Sequence, residues 1–196
     1  MKLTIPLFPL NTVLFPGGVL PLRIFEPRYL DMVSNCLRSE TGIGVVLIKE
    51  GSEVGTAAQP HDVGTMASIC YWNKRNDGLL GMTLKGEQRF RILSQTIEPN
   101  QLILADVELL TDVAETPVLA EYQHLVDLLK QIISQLEPPY TTMPTHYDDA
   151  AWVSARLVEL LPLQLSKKQY LLEAEDPLER LTELSASLHE KRYIQK

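Results

Sequence analysis

Glycine is confined to one part of this chain, and its distribution divides the sequence into two halves. All ten glycines lie between Gly17 and Gly86. Because glycine readily adopts the positive φ angles of turns and bulges, the first half is predicted to be rich in turns and short strands. The second half is free of glycine and rich in Leu, Glu, Lys and Gln, which favours helices. We therefore expect two parts, residues 1–110 and residues 111–196.

Short apolar runs separated by turn residues predict the strands of the first half. They are expected at residues 3–7, 43–49, 63–72, 79–84, 88–97 and 102–109. The first run carries Pro6, and because proline cannot donate a ladder hydrogen bond, we place that run at a sheet edge. Tyr71 and Trp72 are adjacent in a predicted strand, so their side chains point to opposite faces and one of them is expected to be exposed.

Amphipathic spacing predicts one helix among the strands and several in the second half. The first helix begins at Pro27, and its apolar face is expected to hold Tyr29, Leu30, Val33, Cys36 and Leu37. Later helices are expected at 118–136, after a cap at Asp148, from Ser166 to Glu173, and from Pro177 after a cap at Asp176. Since each apolar stripe must be buried, the second half is predicted to be a small helical bundle.

The composition excludes several classes of protein. Apolar residues make up 45% and charged residues 22% of the chain, which is typical of a globular protein. The net charge is −7, and this disfavours binding driven by phosphate neutralisation, so nucleic acid is not the expected partner. The apolar stretch at residues 3–22 is interrupted by four prolines, which rules it out as a membrane-spanning helix. We expect a cytoplasmic protein.

Motifs for catalysis, cofactors and metals are missing from the sequence. It contains neither a phosphate-binding GxxxxGK[ST] loop nor a GxSxG nucleophile elbow. Glu121 and His124 form a single ExxH pair, whereas a carboxylate-bridged di-iron site needs two such pairs. Cys36 and Cys70 are far apart and belong to no Cys-His cluster, which disfavours zinc. We therefore predict no catalytic residues, no cofactor and no metal.

Charged residues inside the apolar first half have two interpretations. The set consists of Arg23, Glu26, Arg28 and Arg89. In the first interpretation they form a paired polar network that fixes the helix against the sheet. In the second, Glu26, Arg28 and Arg89 perform acid–base chemistry, and they should then converge on an open cleft.

Several segments together resemble one protein family, the Lon protease N-terminal (substrate-binding) domain. The opening signature comprises residues 6–10, 13–17 and 20–29, with the sequences PLFPL, VLFPG and LPLRIFEPRY. Further similar segments lie at 42–51, 63–67, 86–90, 162–163, 168–173 and 179–181. The resemblance extends over almost the whole chain. Cereblon contains a similar domain, together with a cysteine-ligated zinc module that this sequence lacks.

The resemblance implies a fold and a function. The expected fold is α+β, a β-rich PUA-like pseudo-barrel with one inserted helix, followed by a C-terminal helical bundle packed on it. In Lon proteases this region helps to recognise unfolded or tagged substrates, while separate modules hydrolyse ATP and cleave peptides. Because the 196 residues contain no phosphate-binding loop, we expect recognition without ATPase or protease activity.

Our hypothesis is therefore a non-enzymatic module that binds unfolded or extended polypeptide segments. Apolar side chains of the partner would enter a groove between barrel and helices, with strand addition at an open edge. The candidate peptide-binding residues are Phe15, Tyr71 and Trp72. A separate ATPase or protease is a further expected partner, and the expected oligomeric state is a monomer or weak homodimer. The alternatives are the small-molecule enzyme above, or an RNA-binding module that uses Lys74, Arg75 and Lys85.

Overall fold

The structure is a computed structural model that describes residues 2–111 and 114–194. It divides into two compact units, Met1–Asp112 and Val113–Lys196. Among the residues described, the first unit contains six strands and one helix, and the second contains four α-helices and two short 3₁₀ helices. The mixed α and β architecture predicted from the sequence is confirmed.

The strands of the first unit form a barrel. They are β1 (Lys2–Leu10), β2 (Val19–Ile24), β3 (Ile43–Glu50), β4 (Gln59–Lys74), β5 (Leu80–Ile97) and β6 (Ile103–Leu109). Their order in the sheet is β2-β5-β4-β3-β1-β6, and β6 also pairs with β5. This additional pairing closes β1, β3, β4, β5 and β6 into a ring. Strand β2 lies outside the ring, antiparallel to the first part of β5.

Strand β1 is not an edge strand, contrary to the prediction from its prolines. Its first part, Lys2 to Leu7, is antiparallel to β6, and its last part, Leu7 to Leu10, is parallel to β3. Pro6 falls in the first part and Pro9 in the second. Each proline therefore lies where β1 has a ladder partner on one side only, so the missing N–H can face the other side.

Strand β5 is continuous, although the sequence predicts two separate strands. It runs through Gly86 with a shift in its register against β4 between Met66 and Ala67. Its first part pairs with β2 and its last part with β6. The hairpin of β4 and β5 therefore reaches beyond the ring. We call residues 68–74 of β4 and 80–85 of β5 the arm.

The inserted helix covers one face of this sheet. Helix α1 (Pro27–Ser39) begins at Pro27, as the sequence predicts. It buries Tyr29, Met32, Val33 and Cys36 against the strands. The predicted face is wrong at two positions, since Leu30 and Leu37 are exposed and Met32 is buried in their place. A second cluster fills the ring and consists of Ile5, Leu7, Val46, Phe90, Ile103, Ala105 and Val107.

The second unit is built from α2 (Gln123–Ser134), α3 (Ala150–Leu160), α4 (Leu165–Glu173) and α5 (Pro177–Ile194). Helix α3 packs against the other three helices and is buried along most of its length. The expected cap Asp176 accepts a hydrogen bond from the N–H of Leu178 at 2.8 Å. Ser166, expected as a cap, lies inside α4, which is preceded by Gln164. No described helix combines the length and hydropathy needed to cross a bilayer.

The cap of α3 is Asp149, and the predicted cap Asp148 is wrong by one residue. The Asp149 carboxylate accepts hydrogen bonds from the N–H groups of Ala151 at 3.0 Å and Trp152 at 3.3 Å. It also accepts one from the N–H of Thr116 at 3.1 Å, which ties the preceding segment to the helix. Asp148 is exposed.

The adjacent aspartates make a matched pair for a stability measurement. We expect Asp149→Ala to lower the free energy of unfolding of the second unit by about 1–2 kcal/mol, because three backbone donors lose their acceptor. Asp148→Ala should change it by less than about 0.5 kcal/mol. Denaturant unfolding followed by circular dichroism checks both values, and equal losses would contradict the assignment of the cap.

Candidate functional site

Tyr71 and Trp72 form an exposed aromatic pair on the arm. Their exposed fractions are 59% and 55%. Tyr71 lies opposite Thr83 and Trp72 opposite Met82, so the two rings are on opposite faces, as predicted. The sequence predicts that one of the two is exposed, and in the structure both are. Strand β3 pairs with β4 only as far as Ala67, so within the described part of the chain this stretch of β4 has a paired strand on one side only.

Phe15 is a core residue and not a surface residue. Its side chain is fully buried. Next to it, Leu14 accepts a hydrogen bond at its carbonyl oxygen from the Thr65 hydroxyl at 2.5 Å. A side chain in this position cannot touch a partner, so the candidate peptide-binding set is corrected to Tyr71 and Trp72. Phe15 begins a turn through Pro16, Gly17 and Gly18, and nothing in the sequence indicates that this turn packs against the sheet.

A groove of about 290 Å³ lies at the base of the arm. It is lined by the end of α1 and the start of the arm, through Cys36, Leu37, Glu40, Thr41, Gly42, Ser68 and Ile69. Burial raises the pKa of the Cys36 thiol, which therefore stays protonated and serves as an apolar wall. Sequence reasoning missed this groove because it assigned Leu37 to the buried face of α1.

A second, smaller cleft of about 80 Å³ lies at the start of α1. Its rim carries the exposed side chains of Phe25 and Val54. Its floor contains Phe8 and Tyr29, whose ring centroids are 4.3 Å apart. Burial raises the pKa of the Tyr29 phenol, which stays protonated at neutral pH. The charged residues Arg23, Glu26 and Glu53 also line this cleft, which is small compared with the groove beside the arm.

Arg28 holds three segments of the first unit together. Its guanidinium is buried and forms an ion pair with the Glu26 carboxylate at 3.1 Å. It also donates hydrogen bonds to the carbonyl oxygens of Gln101 at 2.9 Å and Glu53 at 3.4 Å. Gln101 has a φ of 71° in the turn between β5 and β6, and such a conformation is costly for a residue with a side chain. The contacts of Arg28 stabilise that turn against the start of α1.

The four charged residues singled out in the sequence do not all converge on one cleft, since Arg23 and Glu26 line the smaller cleft whereas Arg28 and Arg89 do not. Arg23 is exposed in β2 opposite Gly81, whereas Arg89 is buried in β5 opposite Thr65. Glu26 and Arg28 are brought together by their ion pair. The Glu26 side chain forms no hydrogen bond to the first turn of α1, so it acts as an ion-pair partner and not as a side-chain cap. This arrangement favours a structural clamp over an acid–base site.

Two basic residues of the β4–β5 hairpin, Arg75 and Lys85, are paired with acids of the same hairpin. Arg75 contacts the Asp77 carboxylate at 3.2 Å, and Lys85 contacts Glu87 at 3.8 Å. The N–H of Leu79 and the Arg75 guanidinium hold the pKa of Asp77 below its usual value. Two of the three cations considered for RNA therefore have an adjacent carboxylate. Phosphate binding would have to compete with these pairs.

The described residues contain no group of three or more His, Cys, Asp or Glu side chains arranged to hold a metal ion. His124, the histidine of the ExxH pair, contacts the carbonyl oxygen of Glu121 through Nδ1 at 2.9 Å. Its Nε2 lies 3.3 Å from the Ser185 hydroxyl. The imidazole thus takes part in local hydrogen bonds of the second unit.

The six-stranded sheet, five strands of which close into a ring, together with the inserted helix defines a fold class that solved structures share. The crystal structure of a Lon N-terminal domain protein from Xanthomonas campestris is similar, with a TM-score of 0.77 and 35% sequence identity. The match covers 94% of this chain and 98% of that chain. The N-terminal domain of the Mycobacterium avium complex Lon protease has the same fold, with a TM-score of 0.59 at 19% identity.

Sequence comparison places the chain within one family. The model of the ATP-dependent protease La (LON) substrate-binding domain matches residues 4–190, so the chain belongs to this family. This chain is 30% identical to the Lon protease of Escherichia coli strain K12, and the match covers 95% of this chain. This chain is 27% identical to the Lon protease of Anaeromyxobacter dehalogenans, and the match covers 98% of this chain. The chain spans about a quarter of the length of these curated relatives.

Proposed function

We propose that this protein is a non-enzymatic recognition module that binds exposed apolar segments of unfolded polypeptides. The observation that carries the proposal is the pair of exposed aromatic side chains, Tyr71 and Trp72, on an arm that extends beyond the barrel. Large aromatic groups contribute much of the binding energy at protein interfaces. Membership of the substrate-binding domain family supports polypeptide as the ligand class.

A separate ATPase or protease is the proposed receiver of the bound polypeptide. The support is that the chain belongs to the substrate-binding domain family of an ATP-dependent protease. The cytoplasmic location stays a prediction, as does the expectation of a monomer or weak homodimer.

Replacing Trp72 with alanine tests the aromatic pair. We expect the affinity for a permanently unfolded polypeptide, such as fluorescently labelled, reduced and carboxymethylated α-lactalbumin, to fall by about 30-fold. This corresponds to about 2 kcal/mol for a central aromatic contact. The measurement is a fluorescence anisotropy titration. Since Trp72 is exposed, circular dichroism should show the variant to be folded.

Tyr170→Ala is the matched control, because Tyr170 is also half-exposed but lies on α4 of the second unit. Its affinity should stay within about twofold of the unsubstituted protein. Equal losses in the Trp72 and Tyr170 variants would show that binding does not depend on the arm, and would contradict the proposal.

A further inference from the structure

The outer edge of the arm has a free hydrogen-bonding ladder. Strand β4 pairs with β5 as far as Lys74, whereas β3 pairs with β4 only from Gln59 to Ala67. Among the described pairings, none covers the other side of residues 68–74. At about 3.3 Å per residue, this edge is roughly 23 Å long. Its outward N–H and C=O groups can pair with any extended backbone, whatever its sequence.

A β-bulge in β4 determines which side chains lie beside this edge. The register against β5 shifts between Ile69 and Tyr71. Ile69 lies opposite Leu84, and Trp72 lies opposite Met82. Because Leu84 and Met82 are both buried in the cluster under α1, Ile69 and Trp72 are on the α1 side of the arm. A strand added at the edge would place every second side chain on this same side.

The groove at the base of the arm lies on the path of such a strand. Ser68 and Ile69 belong to both the edge and the groove, and Cys36 and Leu37 supply its opposite wall. With about 290 Å³ of space, the groove can accept apolar side chains from a guest strand. The backbone edge and the apolar groove therefore select an extended segment with alternating apolar side chains.

Charges at the two ends of the edge give the guest a direction. Lys74 is exposed at the tip of the arm, and Glu40 is exposed beside the groove. A guest antiparallel to β4 would have its N-terminal end beside Lys74 and its C-terminal end beside Glu40. An acidic residue at the first end and a basic residue at the second would complement these charges. Both described neighbours of β4 are antiparallel to it.

We propose that an extended polypeptide segment binds residues 68–74 of β4 as an added antiparallel strand, with alternate apolar side chains against Trp72 and in the groove. The inference rests on the proposed function and specifies how the polypeptide is held. The preferred segment alternates apolar and polar residues and carries an acidic N-terminal end and a basic C-terminal end.

Backbone-modified peptides test the added strand directly. The probe is a terminally blocked nine-residue peptide with Glu near its N-terminus, alternating Val and Thr, and Lys near its C-terminus. In one isomer every odd-numbered amide is N-methylated, and in the other every even-numbered amide. Successive N–H groups of a strand point to opposite edges, so we expect one isomer to lose at least tenfold in affinity and the other to keep most of it. The peptide with Glu and Lys exchanged should bind about three- to tenfold more weakly.

Amide hydrogen exchange of the protein, followed by NMR, locates the contact. Bound peptide should slow exchange at those residues of 68–74 whose N–H groups point away from β5. If unfolded α-lactalbumin binds but these amides stay unprotected and both methylated isomers bind equally, the added strand is wrong and the proposed function stands. If no unfolded polypeptide binds, both are wrong. Protection that needs no peptide and grows with protein concentration would assign the edge to a second copy of the chain and overturn the inference.

Discussion

Gly86→Ala is expected to lower the free energy of unfolding of the first unit by about 3–5 kcal/mol. A Cβ atom at Gly86 would lie 2.2 Å from the carbonyl oxygen of Phe15, which is backbone and cannot rotate away. Gly86 also exchanges backbone hydrogen bonds with this turn, donating to Gly18 at 2.9 Å and accepting from Gly17 at 2.8 Å. Separating the two segments would weaken both bonds and displace the buried Phe15 ring.

Gly55→Ala is the control for this substitution, because a Cβ at Gly55 would meet nothing within 4 Å. Its φ of 88° makes alanine unfavourable there by about 1–2 kcal/mol. Guanidinium unfolding measures both variants, and the midpoint of Gly86→Ala should be clearly the lower of the two. Equal midpoints would show that the turn at residues 14–18 yields easily and is not fixed against β5.

Arg28→Met is expected to lower the free energy of unfolding by about 3 kcal/mol. Methionine keeps the apolar length of the side chain but removes the ion pair with Glu26 and the hydrogen bonds to Gln101 and Glu53. The Glu26 side chain is only 18% exposed, so its carboxylate would be left largely buried without a counter-charge.

A double-mutant cycle separates the ion pair from the other contacts of Arg28. In the Glu26→Gln background, the cost of Arg28→Met should fall by about 1 kcal/mol, because no uncompensated carboxylate remains. Denaturant unfolding of the four proteins gives the coupling energy. A variant at Arg28 that is as stable as the unsubstituted protein would contradict the clamp and would favour a binding or catalytic role, since such residues are often placed at a cost in stability.

The local elements could be predicted because short-range rules determine them. Proline at the first position of α1, and Asp176 before Pro177 at the start of α5, predict helix starts that the structure contains. The position of β1 could not be predicted in this way. A proline requires only that its own backbone position lacks a hydrogen-bonded neighbour on one side. The local sequence does not reveal that Pro6 lies where β1 pairs with β6 and Pro9 where β1 pairs with β3.

The candidate site depends on long-range pairing, and the sequence predicts it only in part. The sequence identifies Tyr71 and Trp72 as adjacent aromatic residues in a strand, but their exposure follows from where β3 begins, at Ile43 opposite Ala67. Phe15, the third predicted peptide-binding residue, is buried because its turn packs on Gly86. The groove at Leu37 was missed, since helical periodicity alone cannot define how far the sheet extends beneath a helix.

The central claim is that the protein distinguishes unfolded from folded chains and binds the former. The most direct measurement compares native α-lactalbumin with its reduced and carboxymethylated form, labelled identically and titrated with the intact protein. We predict saturable binding of the unfolded form, at least tenfold tighter than that of the native form. Equal affinity for the two forms would contradict the account. So would the absence of detectable binding of the unfolded form.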